Sequence, residues 1–198
     1  VALRLGHLLA VDGPPAVAED DVGQAQARGH ELFYYTPDML AFDEGKVTAR
    51  GHALQVRREK GNHYTLGNAE VLDLSTMDVV WLRQDPPFDM SYITTTHILD
   101  MIHPKTHVVN DPSWVRNYPE KLLVLNFPNL TPPTMIARDL TTLKAFKHKH
   151  GDIILKPLYG NGGAGVFRLD PSDRNINSLH ELFTDINREP LIAQKFLP

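Results

Sequence analysis

Residues 152–170 read DIILKPLYGNGGAGVFRLD, with a literal G-x-G-x-x-G at Gly160, Gly162 and Gly165. A dinucleotide fingerprint needs a strand before these glycines and a helix after them, its N-terminus facing the pyrophosphate. Here they lead into Val166-Phe167-Arg168-Leu169, which favours a strand, and Asp170-Pro171 ends the run. A Walker loop needs Gly-Lys-Ser/Thr at its end, and that is absent. The stretch therefore reads as strand, glycine loop, strand. Such a hairpin has two readings. It is a tip in which glycine is merely the default turn residue, or a cover whose backbone folds closely over phosphates and points N–H groups at them. Lys156 bears on the choice. It sits on the first strand among Ile153, Ile154, Leu155 and Pro157. A lysine in a buried strand needs a partner, and an ammonium there acts as a point charge for an α- or β-phosphate.

Around this hairpin the chain alternates strand and helix. "TMIA" reads as a strand, and "DLTTLKAFKHKHG" as a helix with Asp139 as N-cap and Gly151 after its end. "NSLHELFTDIN" reads as an amphipathic helix, and "LIAQKF" as a last strand. His148 and His150 stand two apart, so they do not share a helix face and read as a solvated helix end. Upstream, "FPNLTPPT" is proline-rich and suggests a boundary near 126–133, giving domains 1–125 and 126–198. In the first part, 3–11 reads as a strand, "DDVGQAQARG" as a helix capped by Gly29, and "HELFYY" as a strand. That β-α-β order favours a parallel sheet. Residues 39–75 read as irregular strands with a hairpin at Gly45. "DVVWLR" reads as a buried strand, 90–102 as a helix, "HVVND" as a strand and "PEKLLVLNFP" as a helix. The polar loop "QDPPFD" follows a buried strand directly, where ligands bind in open α/β sheets.

Composition narrows the class. The 198 residues hold 42% hydrophobic and 22% charged side chains, with net charge −4 and lysine and arginine dispersed. That argues against a nucleic-acid surface and a polybasic membrane patch. With no cysteine, the chain has neither disulfides nor thiol chemistry. No apolar run reaches a membrane span, and "VALRLGHLLA" is too short for a signal h-region, so a cytoplasmic setting is expected.

Four stretches together resemble one family. The hairpin "DIILKPLYGNGGAGVFR", the loop "WLRQDPPFDMSYI" (81–93), "VVNDPSWVRNYPEKLLVLNFPNLTPPT" (108–134) and "LIAQKFLP" (191–198) are similar, in order and spacing, to the bacterial glutathione synthetase family of ATP-grasp ligases. The resemblance covers residues 30–198. It implies an α/β fold: a Rossmann-like, pre-ATP-grasp parallel-sheet domain, followed by the first part of an α+β ATP-grasp domain.

By position, it implies that Lys121 and Lys156 neutralise ATP phosphates. Gly160, Asn161, Gly162, Gly163, Ala164 and Gly165 form the loop closing over them. Gln194, Lys195, Phe196 and Leu197 form a strand whose backbone meets adenine while apolar side chains sandwich the ring. Phe196 and Leu197 also fit plain core packing. Arg83, Asp85 and Asn110, at strand ends, and Arg116, in the "WVRN" turn, are candidates for the substrate. Arg83 suits a carboxylate, and equally suits an ion pair with Asp85 or Asp89 that shapes the loop. The implied reaction joins γ-glutamylcysteine and glycine with ATP and Mg²⁺, or Mn²⁺ in its place, through an acyl phosphate. The implied assembly is a homo-oligomer, with no nucleic-acid or membrane partner.

Two departures accompany this resemblance. Residues 12–24 are shorter than, and different from, the matching family segment. The family's metal ligands lie beyond the position of Pro198, and no metal-ligand set is assigned among these residues. The chain by itself is therefore expected to be inactive as a ligase. A non-catalytic nucleotide-binding fragment, and an ATP-grasp ligase for another carboxylate and amine, stand as alternatives.

Overall fold

The computed structural model describes residues 2–3, 7–8, 21–160, 162–186 and 189–198. The chain divides into two compact units, Val1–Asn117 and Tyr118–Pro198. The division falls ahead of the 125/126 boundary expected from the prolines. Residues 120–126 are helical rather than linker, and Lys121 is bonded to carbonyls of the hairpin in the second unit.

The first unit contains β1 (Ala2–Leu3), β2 (His7–Leu8), α1 (Asp21–Ala27), β3 (Glu31–Tyr34), β4 (Leu40–Asp43), β5 (Lys46–Val56), β6 (Tyr64–Asp73), β7 (Val79–Trp81), α2 (Met90–Asp100), β8 (His107–Val109) and α3 (Pro112–Asn117). α1 ends as a Schellman motif, with His30 N–H donating to the Ala25 carbonyl at 3.1 Å and Gly29 N–H to Gln26 at 2.9 Å. The sheet runs β4-β5-β3-β1-β7-β8, with β2 beside β3 and β6 beside β5. The β-α-β unit β2-α1-β3 pairs its strands in parallel, as its order suggested, within a sheet that is mixed as a whole. β2–β3 and β7–β8 are parallel, and the remaining pairs are antiparallel. Of the expected strand 3–11, residues 3, 7 and 8 are extended, and 4–6 and 9–11 lie outside the described residues.

Part of the antiparallel pairing comes from the 39–75 region, and part from β1 between β3 and β7. Glu44 and Gly45 have φ of 45° and 86°. Two consecutive positive-φ residues close the tight hairpin between β4 and β5. β5, 11 residues long, pairs with β6 from Thr48 to Val56. Its residues alternate, with Val47, Ala49, Leu54 and Val56 buried in a core shared with Val22, Leu32, Leu72, Val80, Leu99 and Val108. Thr106, fully buried, is satisfied by the carbonyls of Leu74 and Met77, each at 3.0 Å.

The second unit contains α4 (Glu120–Leu123), β9 (Thr134–Ala137), α5 (Leu140–His150), β10 (Ile153–Pro157), β11 (Phe167–Leu169), α6 (Ile176–Ile186) and β12 (Leu191–Lys195). Its sheet, β11-β10-β12-β9, is antiparallel throughout. Asp139 caps α5, accepting from Thr142 N–H at 2.6 Å, as its position predicts. Strand alternation splits the sheet into two faces. Ile153, Leu155, Leu169, Leu191 and Ala193 pack with Leu143 and Phe146 of α5 and with Ile176 and Phe183 of α6. Ile154, Lys156, Ile192 and Gln194 alternate with them and occupy the other face. No helix among the described residues is long and apolar enough to cross a membrane.

Candidate functional site

β10 and β11 form an antiparallel pair in which Ile154 faces Arg168 and Leu155 faces Phe167. The glycines connect strand to strand, so no helix follows them in the chain as a dinucleotide fingerprint requires. The register pairs Lys156 with Ile192. Lys156 is half-buried and stands on the face opposite α5 and α6.

Lys121 reaches the base of the same hairpin. Its Nζ donates to the carbonyl of Gly160 and lies 3.4 Å from that of Pro157. Burial holds its pKa below the usual lysine value. The Lys156 charge pushes the same way, against Glu120. Two ammonium groups thus stand within electrostatic reach at one end of the loop. Such an arrangement favours an anion, because a third, negative charge relieves both desolvation and repulsion.

The loop itself is folded back on Pro157. A Cβ on Gly160 would lie 2.6 Å from Pro157 Cγ, and one on Gly165 would lie 3.1 Å from Pro157 Cδ and 3.2 Å from Phe183 Cε1. Hydrogen alone fits at either position without displacement. Gly162, Gly163 and Ala164 are exposed, and Asn161 lies outside the described residues.

β12 continues past Lys195 into the proposed adenine segment. Gln194 Nε2 donates to Thr134 Oγ1 at 2.9 Å. The N–H groups of Lys195 and Phe196 are engaged by the carbonyls of Pro133 and Asp152, at 2.9 and 3.0 Å. Phe196 lies beneath the Arg168 guanidinium, 4.0 Å from its ring centre. Asp152 holds that guanidinium at 2.7 Å. Leu197 is 61% exposed. Lys121, Lys156 and the glycines converge; Phe196 is turned to Arg168, a contact no local pattern announces.

In the first unit the candidates separate. Arg83 pairs with Asp21 at 3.2 Å and lies over Trp81, 5.8 Å from its ring centre. The expected partners were Asp85 and Asp89. Asp89 is instead taken up in capping α2, accepting from Tyr92 N–H at 2.9 Å, and Asp85 is exposed. Burial raises the Tyr92 pKa, with the Asp85 charge adding to it. Asn110 is exposed just after β8. Arg116 bonds to Asp100 at 2.5 Å. Asp100 ends α2 and Asp89 starts it, so about 16 Å of helix separates Arg116 from the 83–89 loop. The structure does not bring Arg116 to that loop. It adds Gln84, whose Oε1 is buried with no partner among the described residues. The sequence signal for Gln84 was its place between Arg83 and Asp85 at a strand end.

Comparison with known proteins is consistent with both units. The model for the N-terminal domain of prokaryotic glutathione synthetase matches residues 22–116. The model for the ATP-grasp domain of the same enzyme matches residues 120–198. The chain is 60% identical over 197 residues to a glutathione synthetase of Brucella melitensis, covering 100% of this chain and 63% of that protein. It is 61% identical, with the same coverages, to one of Mesorhizobium japonicum. The chain therefore spans about 63% of the length of these curated relatives. Among solved structures, a RimK domain protein ATP-grasp from Sphaerobacter thermophilus superposes with TM-score 0.62 at 17% identity, over 97% of this chain and 64% of that one. The D-alanyl-alanine synthetase A of Vibrio cholerae gives 0.60 at 11% identity, over 97% and 59%. The ATP-grasp ligase PsnB, in a complex with minimal precursor, Mg and ADP, gives 0.53 at 17% identity, over 100% and 65%. At these identities the structures speak for the fold.

Proposed function

The chain belongs to the prokaryotic glutathione synthetase family, and from that premise we propose that its residues serve an ATP-dependent ligase joining γ-glutamylcysteine to glycine. The γ-phosphoryl group of ATP passes to the cysteinyl carboxylate, leaving ADP and an acyl phosphate. The amine of glycine then attacks the acyl carbon. Phosphate leaves, the amine loses a proton, and glutathione is formed. Such chemistry asks a protein for positioning, cations and exclusion of water rather than for a nucleophile.

The observation that carries this reading is the convergence of Lys121 and Lys156 at the base of the glycine hairpin. In the proposal, phosphate oxygens replace the Gly160 and Pro157 carbonyls at Lys121 Nζ, and Lys156 supplies the second charge. The exposed glycines fold over the phosphates and keep water out. Adenine lies along Gln194–Leu197. The N–H groups of Lys195 and Phe196 are already used, so the Leu197 N–H and the strand's carbonyls contact the base. Arg83, released from Asp21, grips a substrate carboxylate. Gln84 Oε1 accepts from a substrate ammonium or amide N–H. Asp85 and Asn110 line the same strand ends.

In this family reading Mg²⁺ accompanies the nucleotide. Among the described residues no group of three or more His, Asp or Glu side chains could hold a metal ion. These residues do not fit the ion, and no step is assigned through it. The second reading is a chain that binds nucleotide without turnover.

Calorimetric titration with ATP and Mg²⁺, followed by phosphate release with γ-glutamylcysteine and glycine, separates the readings. ATP binding that Lys156→Met weakens at least tenfold supports the nucleotide site. Release that requires all three substrates supports the ligase. Binding without release leaves the nucleotide-binding reading, and absence of binding ends both. We further propose a cytoplasmic homo-oligomer, checked by light scattering and cell fractionation.

A further inference from the structure

The first unit carries a cavity apart from its candidate site residues. About 280 Å³ opens between α1 and the turn joining β5 to β6, lined by Gly23, Gln24, Val56, Arg57, Arg58 and His63 among others. It is at the lower edge of small-ligand pocket volumes. It does not belong to the Arg83 loop. β3 and β7 both run antiparallel to β1, so their C-terminal ends share one edge of the sheet, and Arg83 follows β7 there. Leu54 pairs with Leu32 near the start of β3, which places Val56 and the cavity at the opposite edge.

Three features give this cavity a chemistry. Its lining holds two guanidinium groups and one imidazole but no carboxylate. Arg57 is fixed before any ligand arrives. Its Nη1 donates to Thr65 Oγ1 at 2.6 Å, and its Nη2 donates to the Tyr64 carbonyl at 3.0 Å and to Asn62 Oδ1. Glu59, mostly exposed, lies 3.5 Å from its Nε. A cation held in place loses little freedom on binding. Third, His63 Nε2 is buried with no hydrogen-bond partner among the described residues. Buried polar atoms are rarely left so, and one that is asks for a missing partner. The Gln26 amide, also in the lining, is turned to the N–H and the carbonyl of Val56, at 2.7 and 2.8 Å.

We propose that this cavity is a binding site for a small oxyanion, whose carboxylate or phosphoryl oxygens accept from His63 Nε2–H and lie against Arg57 and Arg58. It stands at the far edge of the sheet from the Arg83 loop and does not depend on the ligase reading. Occupancy would bear on α1, whose first residue, Asp21, holds Arg83.

The test is an NMR titration of the 198-residue protein with inorganic phosphate and, separately, with succinate, each against sodium chloride at matched ionic strength. At least one oxyanion is expected to give saturable shifts in residues 23–27 and 56–63 that chloride does not. His63→Gln and Arg58→Gln should each weaken that binding about tenfold, the worth of one charge-assisted hydrogen bond. Phosphate alone assigns a phosphoryl ligand, succinate alone a carboxylate, and both the shared chemistry. Should Arg58→Gln unfold the chain, His63→Gln carries the comparison. Shifts identical to those with chloride overturn the proposal. So does unaltered affinity in a folded His63→Gln protein.

Discussion

In Tyr118–Pro198 one candidate cation, Lys121, rests on backbone carbonyls with the Lys156 charge within electrostatic reach; in Val1–Asn117 the two candidate arginines each face a carboxylate. Lys121 has traded water for the oxygens of Gly160 and Pro157, and its pKa falls through burial and the nearby Lys156 charge. Arg83 and Arg116 have settled on Asp21 and Asp100, with no such convergence. A cation resting on carbonyls is poised to exchange them for a phosphate, because an anion compensates charge and carbonyls do not. A cation resting on a carboxylate must first lose a partner of equal charge. The lysine cluster therefore reads as a binding device already assembled, and the arginines as partly committed to architecture.

The sharpest way to break that contrast is to remove a charge from each side and measure nucleotide binding. Lys156→Met is expected to weaken ATP by about 10–100-fold, the span of one or two charge-assisted hydrogen bonds. Arg83→Met, on the other side, is expected to leave ATP affinity unchanged. Equal losses in calorimetry would erase the distinction between the two regions.

A second measurement addresses Arg116. Its side chain is 16% exposed and that of Asp100 is 34%, and its Nη1 is buried without a partner among the described residues. Truncating one member of a half-buried pair leaves the other charge desolvated, at a cost of about 2 kcal/mol. Arg116→Ala should lower the urea midpoint accordingly. Asp100→Asn should cost about as much, and the double variant should cost less than the sum of the two. Additive losses would mean that the pair is not a unit.

These long-range partners are what the sequence could not show. The β10–β11 hairpin, the α5 cap at Asp139 and the end of α1 at Gly29 were legible, because each depends on residues within one or two turns of chain. The register of β5 was not. Gly51 interrupts its apolar alternation, and the pairing with β6 shifts between His52 and Leu54, so the pattern reads as irregular. Arg83 was correctly marked as a strand-end cation, but its partner lies 62 residues away, on a helix whose approach only the folded sheet fixes. Lys156 was marked by its place on the strand before the glycines, and Lys121 only by resemblance. Spacing alone could not show that both reach the base of one loop.

Smaller in effect is Gly160→Ala. The added Cβ would meet Pro157 Cγ at 2.6 Å, and a proline ring cannot swing aside, so the hairpin base must shift. About 1–2 kcal/mol of overpacking is expected, read as faster amide exchange across 158–166. Arg83 variants should leave exchange there untouched. Gly162→Ala offers a control, since nothing lies within 4 Å of its Cβ position and only the positive φ of 59° resists.

The smallest effect tests the other half of the contrast. Asp21 and Arg83 are 62% and 36% exposed, and pairs so exposed contribute about 0–0.5 kcal/mol. Asp21→Asn should therefore leave the denaturation midpoint nearly unmoved. Its consequence belongs to binding. If Arg83 must leave Asp21 to hold a substrate carboxylate, the asparagine removes a competitor. The affinity of the chain for γ-glutamylcysteine, followed by NMR, should then rise about twofold, within the energy of the lost pair. Added salt should shrink that gain, because it screens the exposed pair being removed. A fall in affinity would reverse the assignment. Asp21 would then be the group that aims Arg83, and both regions of the molecule would hold their cations ready rather than only one.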